Sequence, residues 1–189
     1  LSLKQVDGIF ASTRKRGGQD VVTWGDLGQK GALAGKTVSA FGRNSASGTY
    51  GFFKEVALKT GDFKDTVKEQ PGSSSVVQGI AADVGAVGYS GIGYATSGVR
   101  ALPLSSDDSG NYVEPNYANC LSGTYPLSRY LYVYVNKAPS KPMDKLTSEF
   151  ITFVLSKQGQ EIVIKDGYFP LPSEVADEGR ASLKYYSAE

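Results

Sequence analysis

Residues 40–58 read AFGRNSASGTYGFFKEVAL. An apolar run over 38–42 gives way to Arg43 and three small hydroxyl side chains, Ser45, Ser47 and Thr49. Phe53, Val56 and Ala57 then recur at helical spacing, so the stretch reads as a strand running into a helix. A helix start carries unpaired backbone N–H groups and the positive end of the dipole, which together suit an anion. Gly48 lets the backbone approach a ligand with no Cβ in the way. Arg43 adds a permanent charge and a fork that matches two oxygens of a tetrahedral oxyanion. The dipole is worth about 0.3–1 kcal/mol, and each hydrogen bond to a charged group about 1.5–3 kcal/mol. Against the roughly 8 kcal/mol of a micromolar site, three or four hydrogen bonds would carry the binding and the dipole would bias it. The same residues also suit a plain Ser/Thr helix cap beside a solvated arginine. They form neither a Walker A loop nor a dinucleotide fingerprint, since five residues separate Gly42 from Gly48 and the next is Thr49, not Lys.

Composition removes several other chemistries. The chain has no histidine, which excludes a Ser-His-Asp triad, a Cys-His pair and a histidine zinc site built from these residues. Cys120 is the only cysteine, so no internal disulfide can form. No cluster of carboxylates has metal-ligand spacing, and no cofactor is implied. A net charge of +1 offers no electrostatic case for nucleic acid. The 189 residues, 40% hydrophobic and 21% charged, suit one ordinary domain or two small lobes. No apolar run is long enough to span a membrane as a helix. The opening LSLKQVDGIF has neither an initiator Met nor a signal-peptide pattern, so it is expected to follow a longer or processed upstream segment.

The elements around the loop alternate between strand and helix. Leu3, Val6, Ile9 and Phe10 predict a helix capped by Ser2. KTVSAFG predicts a buried strand, and the helix after it is expected to stop at Gly61. TVKEQ predicts a strand, SSSVV at 73–77 the capped start of a helix to about Ala82, and GAVGYSGIGYA a Gly-rich strand and turn. GVRALPL reads as a further short strand, and 105–126 as loop. RYLYVYVN alternates tyrosine with Leu and Val, a strand pattern. Leu146, Phe150, Phe153 and Val154 fall on one helix face, a second short helix ends at Gly167, and a last helix follows Glu174. Trp24 reads as a packing anchor, the charges of 64–69 as a solvated face, and Tyr125 and Arg129, at the lobe boundary, as hinge packing, with reach into a cleft as the alternative. The class is α/β, with a lobe boundary expected near Tyr125–Arg129.

These residues carry a family likeness. GRNSASGTYGFFKE resembles the Arg-x-x-x-Ser-Gly-Thr signature of the phosphate-binding proteins that serve ABC transporters, which have the type II periplasmic binding protein fold. LSLKQVDGIFAS, GAVGYSGIGYA, YPLSRYLYVYVNK and FITFVLSKQGQEIVIKDGYFPLP resemble further family segments, in family order, over roughly residues 1–172. The resemblance implies that residues 1–127 form the second lobe and that 128–189 contribute to the first. It implies Arg43, Ser47, Gly48 and Thr49 as phosphate ligands, by charge, hydroxyl and backbone N–H. Ser45 stands where some members pair an Asp with the arginine, so it is a candidate ligand in a more positive site. Further ligands, including an acidic residue that accepts the phosphate proton, would lie upstream of Leu1. A second chain carrying the missing N-terminal half, a swapped dimer, or packing back onto the 1–127 lobe is then expected to cover the tyrosine strand and the Phe150/Phe153/Val154 face. The implied function is extracytoplasmic, periplasmic capture of inorganic phosphate by hinge closure and delivery to an ABC permease, without catalysis. The alternatives are a phosphatase-like enzyme or a surface adhesion protein reusing the fold.

Overall fold

The computed structural model describes residues 1–138 and 141–184. The chain divides between Arg129 and Tyr130 into two compact units.

The first unit is built on a parallel sheet of three short strands, β1 (Ser39–Arg43), β2 (Lys68–Gln70) and β3 (Ala86–Gly88), in the order β2-β1-β3. Phe41 pairs with Lys68 on one side and with Gly88 on the other. β1 is therefore central, and its middle residues are buried, as the continuous apolar run requires. Helix α2 (Gly48–Val56) links β1 to β2, and α3 (Ser73–Ala81) links β2 to β3 across β1. Side chains alternate along β1 and meet different helices. Phe41 packs under α3, where a Cβ on Gly79 would lie 2.5 Å from its ring. On the opposite side of the pleat, Ala40 joins a core with Phe53 of α2, Val87 and Tyr89. The two helices thus cover opposite faces of the sheet.

Helix α1 (Leu3–Phe10) completes that core with buried Leu3, Val6, Ile9 and Phe10. Its start is a capping box: Ser2 Oγ accepts from Gln5 N, and Gln5 Oε1 accepts from Ser2 N. Phe10, Phe53 and Tyr89 interlock, with Phe53 stacked on Tyr89 at 3.9 Å and Phe10 edge-on to Phe53 at 5.0 Å. Trp24 packs against this core and donates from Nε1 to Gly85 O at 2.9 Å.

Several sequence expectations need correction. α2 does not end at Gly61: its cap is Ala57, and the chain reverses through left-handed Lys59 (φ 48°) and Thr60 (φ 59°). Gly61 is small for another reason, since a Cβ there would lie 2.8 Å from Leu58 O and Thr13 Oγ1. GVRALPL is not a strand; only Leu104 forms a bridge, to Val113, and Ser105 one to Ser2. Pro103 has no N–H to give a ladder. The loop over 105–126 holds a short helix, α4 (Tyr117–Leu121), capped by Asn116. Lys64 is no solvated charge: its ammonium reaches Asp20 at 2.7 Å and Val21 O at 2.9 Å.

Among the described residues the second unit contains three helices, α5 (Lys145–Val154), α6 (Lys157–Lys165) and α7 (Ser173–Lys184). Asp144 caps α5, Ser156 caps α6, and Gly167 (φ 84°) follows the end of α6. Arg180 of α7 donates to Leu155 O at the end of α5 and pairs with Asp177. The tyrosine segment before α5 is not a strand: among the described residues no ladder bond reaches 130–138. Alternation prepares a segment to pair but supplies no neighbour, and a single strand cannot satisfy its own backbone. Tyr130, Tyr132 and Tyr134 are exposed, Tyr134 by 90%. Leu146, Phe150 and Phe153 on α5 are exposed too, so no described element covers that apolar face. Val154 is half-buried.

Candidate functional site

The carboxyl edge of the sheet brings two helix starts together. β1 ends at Arg43 and β2 at Gln70; the loop after β1 leads to α2 on one face, and the loop after β2 to α3 on the other. Ligands in open α/β sheets bind outside the carboxyl ends of strands where loops diverge in this way.

Arg43 is held across this gap. Its Nη1 donates to Ser73 Oγ at 2.8 Å and its Nη2 to Pro71 O at 3.1 Å. Ser73, buried, is the first residue of α3 and takes this bond in place of capping; the cap position is Gly72, which has no side chain to offer. SSSVV is therefore not a Ser-capped start. Arg43 Nε is buried and has no partner among the described residues. A buried N–H without an acceptor is uncommon in native proteins and marks a place where one is wanted. No carboxylate pairs with Arg43 among the described residues.

Tyr89 supports the backbone below the arginine. Its hydroxyl donates to Arg43 O at 3.4 Å, and burial pushes its phenol up to about 12. The ring passes so close to β1 that a Cβ on Gly42 would lie 2.9 Å from it. Gly42 is thus the space for Tyr89 and not part of a phosphate loop.

Ser47 is the N-cap of α2, and its Oγ accepts from Thr49 N at 3.1 Å. That bond occupies Thr49 N–H. The Ser47 hydroxyl proton, Gly48 N–H and Thr49 Oγ1 carry no hydrogen bond among the described residues, and Gly48 is exposed. Ser45 is exposed and likewise unengaged. Ser47, Gly48 and Thr49 therefore form one helix start in which the cap and the donors coexist, and Arg43 ends the strand four residues before it. What it offers chemically is a set of N–H and O–H donors with positive charge. The first turn of α2 contains no acidic residue.

One side chain outside the motif reaches the same turn. Arg129 stacks on Phe52 at 4.7 Å, and its Nη2 lies 3.8 Å from where a Cβ on Gly48 would be. Nothing in the local spacing of Arg129 reveals this, because 79 intervening residues fold between it and Thr49. Tyr125 points elsewhere, donating to Leu102 O at 3.3 Å. Cys120 is half-buried in α4, and burial raises its thiol pKa, so it is not an activated nucleophile. One hollow of the second unit is lined mainly by apolar side chains, Val133, Ile151, Leu155 and Leu183 among them, with Lys137 and Ser182 also on its wall. No group of three or more acidic, His or Cys side chains could hold a metal among the described residues, and no described helix is long and apolar enough to cross a membrane.

Comparison with known proteins agrees with this frame. A family model described as a PBP superfamily domain matches residues 1–158. The phosphate-binding protein PstS of Pseudomonas aeruginosa is 57% identical over 184 residues, covering 97% of this chain and 57% of that protein. The structure of a possible phosphate binding protein from Planctomyces limnophilus superposes with a TM-score of 0.74 at 28% identity, covering all of this chain and 65% of that one. An ABC-type phosphate transport receptor from Vibrio cholerae shares the fold, with a TM-score of 0.62 at 21% identity over 91% of this chain and 64% of that one. The chain spans a little over half the length of the PstS relative it matches. With its family-model match and its doubly covered parallel sheet, the chain belongs to the PBP superfamily and has the α/β fold of type II periplasmic binding proteins.

Proposed function

We propose that this protein binds inorganic phosphate at the start of α2 as the extracytoplasmic, periplasmic binding component of an ABC importer. The observation that carries the reading is Arg43. Its guanidinium is fixed by Ser73 and Pro71, its Nε is buried without an acceptor among the described residues, and the donors of Gly48 and Thr49, unengaged among the same residues, follow one short loop later. In this reading Arg43 supplies charge, Gly48 its N–H, and Ser47 and Thr49 their hydroxyl protons, while Ser45 is a peripheral donor. Thr49 N–H stays with the Ser47 cap. The relatives' names as phosphate-binding protein and phosphate transport receptor support the same ligand and an ABC permease as partner.

Residues 1–127 then act as one lobe and 128–189 as a contribution to the other, with the rest of that lobe supplied by further sequence or by a second chain. The lobes close on the anion by hinge motion. No bond of the ligand is made or broken: the site has donors and cations, and neither a histidine nor a paired carboxylate to act as general base.

Isothermal calorimetry of the intact protein with phosphate and with sulfate tests this reading. Phosphate should bind, and Arg43→Ala should weaken it by roughly 10- to 200-fold, the worth of one or more hydrogen bonds to a charged group. Hydrolysis of a generic phosphate ester, run in parallel, would overturn the transport reading in favour of a phosphatase-like enzyme. Failure to bind any tetrahedral oxyanion would favour an adhesion role.

A further inference from the structure

We propose that Arg129 is a second anion-binding cation of this site, and this rests on the phosphate reading above. The starting point is an electrostatic conflict. Gly48 and Phe52 stand four residues apart on α2 and so share one face. Arg129 lies along that face, its guanidinium 4.7 Å from the Phe52 ring centroid and its Nη2 3.8 Å from the Cβ position of Gly48. That places a permanent cation at the positive end of a helix, where the dipole favours an anion and opposes a cation. No acidic residue in the first turn relieves it, and among the described residues no carboxylate pairs with Arg129. Arg43, likewise without an ion-pair partner, ends the strand that leads into the same helix. Among the described residues neither arginine has an ion pair, and the first turn of α2 carries no acidic residue.

Stacking on Phe52 offsets part of the repulsion and sets the orientation of the guanidinium. A guanidinium held over a ring face keeps N–H groups free for an oxyanion. A local rule broken without internal compensation is characteristic of a binding site. An anion at Gly48 N–H resolves the conflict, because it lies against the dipole and within the reach of Arg129. Arg43 is the inner, partly buried cation; Arg129 is exposed and is the outer one, adding attraction during approach and a fork once the anion is seated.

The test uses the intact protein, inorganic phosphate, and the variants Arg129→Ala and Arg129→Lys, read by calorimetry and by association rates across ionic strength. Arg129→Ala is expected to raise the phosphate Kd roughly tenfold, as for loss of one partly screened charged hydrogen bond. It should also flatten the salt dependence of the association rate. Its thermal midpoint in phosphate-free buffer should not fall, since a cation is removed from a positive helix end. Arg129→Lys should keep the salt dependence and recover only part of the affinity, because it retains the charge and loses the fork. Phosphate binding of Arg129→Ala identical to wild type in affinity and salt dependence would overturn the inference and leave Arg129 as packing on Phe52. Absence of phosphate binding by the wild type would instead remove the reading beneath it, and the inference with it.

Discussion

At the scale of residues, the start of α2 shows how one short stretch serves as a cap and a donor set together. Ser47 Oγ accepts from Thr49 N and keeps its own proton to give away, so the two sequence readings are not rivals. Arg43 was legible as a charge at a strand end, but its tether to Ser73 was not, since 30 residues separate them. The role of Gly42 was not legible for the same reason, because the ring that requires it arrives from Tyr89. Gly42→Ala is therefore expected to cost about 1–3 kcal/mol by overpacking against Tyr89. Urea unfolding would measure it, and a variant as stable as wild type would show that Tyr89 moves aside freely.

Among the elements, those with long periodic patterns and good caps follow the sequence closely. α1 with its Ser2–Gln5 box, α5 and α6 are of this kind. α4 spans only five residues, too few to show a period. The tyrosine segment fails for a different reason: its pattern is sound, but strand structure belongs to a pair, and no pairing neighbour is found among the described residues. The end of α2 departs from expectation through Thr60, a β-branched residue held at φ 59° with its hydroxyl turned onto Lys59 O. That conformation is costly for such a side chain. Thr60→Gly should thus stabilise the protein by about 0.5–1 kcal/mol even after the added freedom of the unfolded chain is counted. Thermal unfolding checks this; a lower midpoint would mean that the hydroxyl contact with Lys59 outweighs the relief.

Across the whole molecule, α2 is tied at both ends. Arg16 donates from Nε to Ala57 O at 2.6 Å and from Nη2 to Val56 O at 2.5 Å, a cation on the negative end of the helix. The Arg16 backbone N–H in turn donates to Asp7 Oδ2 at 2.8 Å, while Asp7 Oδ1 is buried with no partner among the described residues. Burial raises the Asp7 pKa above its usual 3.8, against the lowering effects of the Arg16 hydrogen bond and the charges of Arg16, Arg14 and Lys59. A raised folded-state pKa means that the folded protein holds the proton more tightly than the unfolded chain. The stabilisation is full below 3.8 and is lost as pH rises through the folded value. Wild type should therefore lose stability relative to Asp7→Asn on going from acid to neutral pH. Denaturant unfolding across that range checks the sign, and parallel curves would mean that the carboxyl titrates alike in both states.

The position of Trp24 has a practical consequence. Its indole hydrogen-bonds Gly85, the residue just before β3, so it sits at the amino edge of the sheet, while Arg43 and the start of α2 lie at the carboxyl edge. It is also the chain's only tryptophan. Its fluorescence is accordingly a clean reporter of the first unit's folding and a poor reporter of occupancy, because the width of the sheet core separates the fluorophore from the proposed anion site. A flat emission trace during a phosphate titration would say nothing against binding. A usable optical signal would need a probe placed at the other edge.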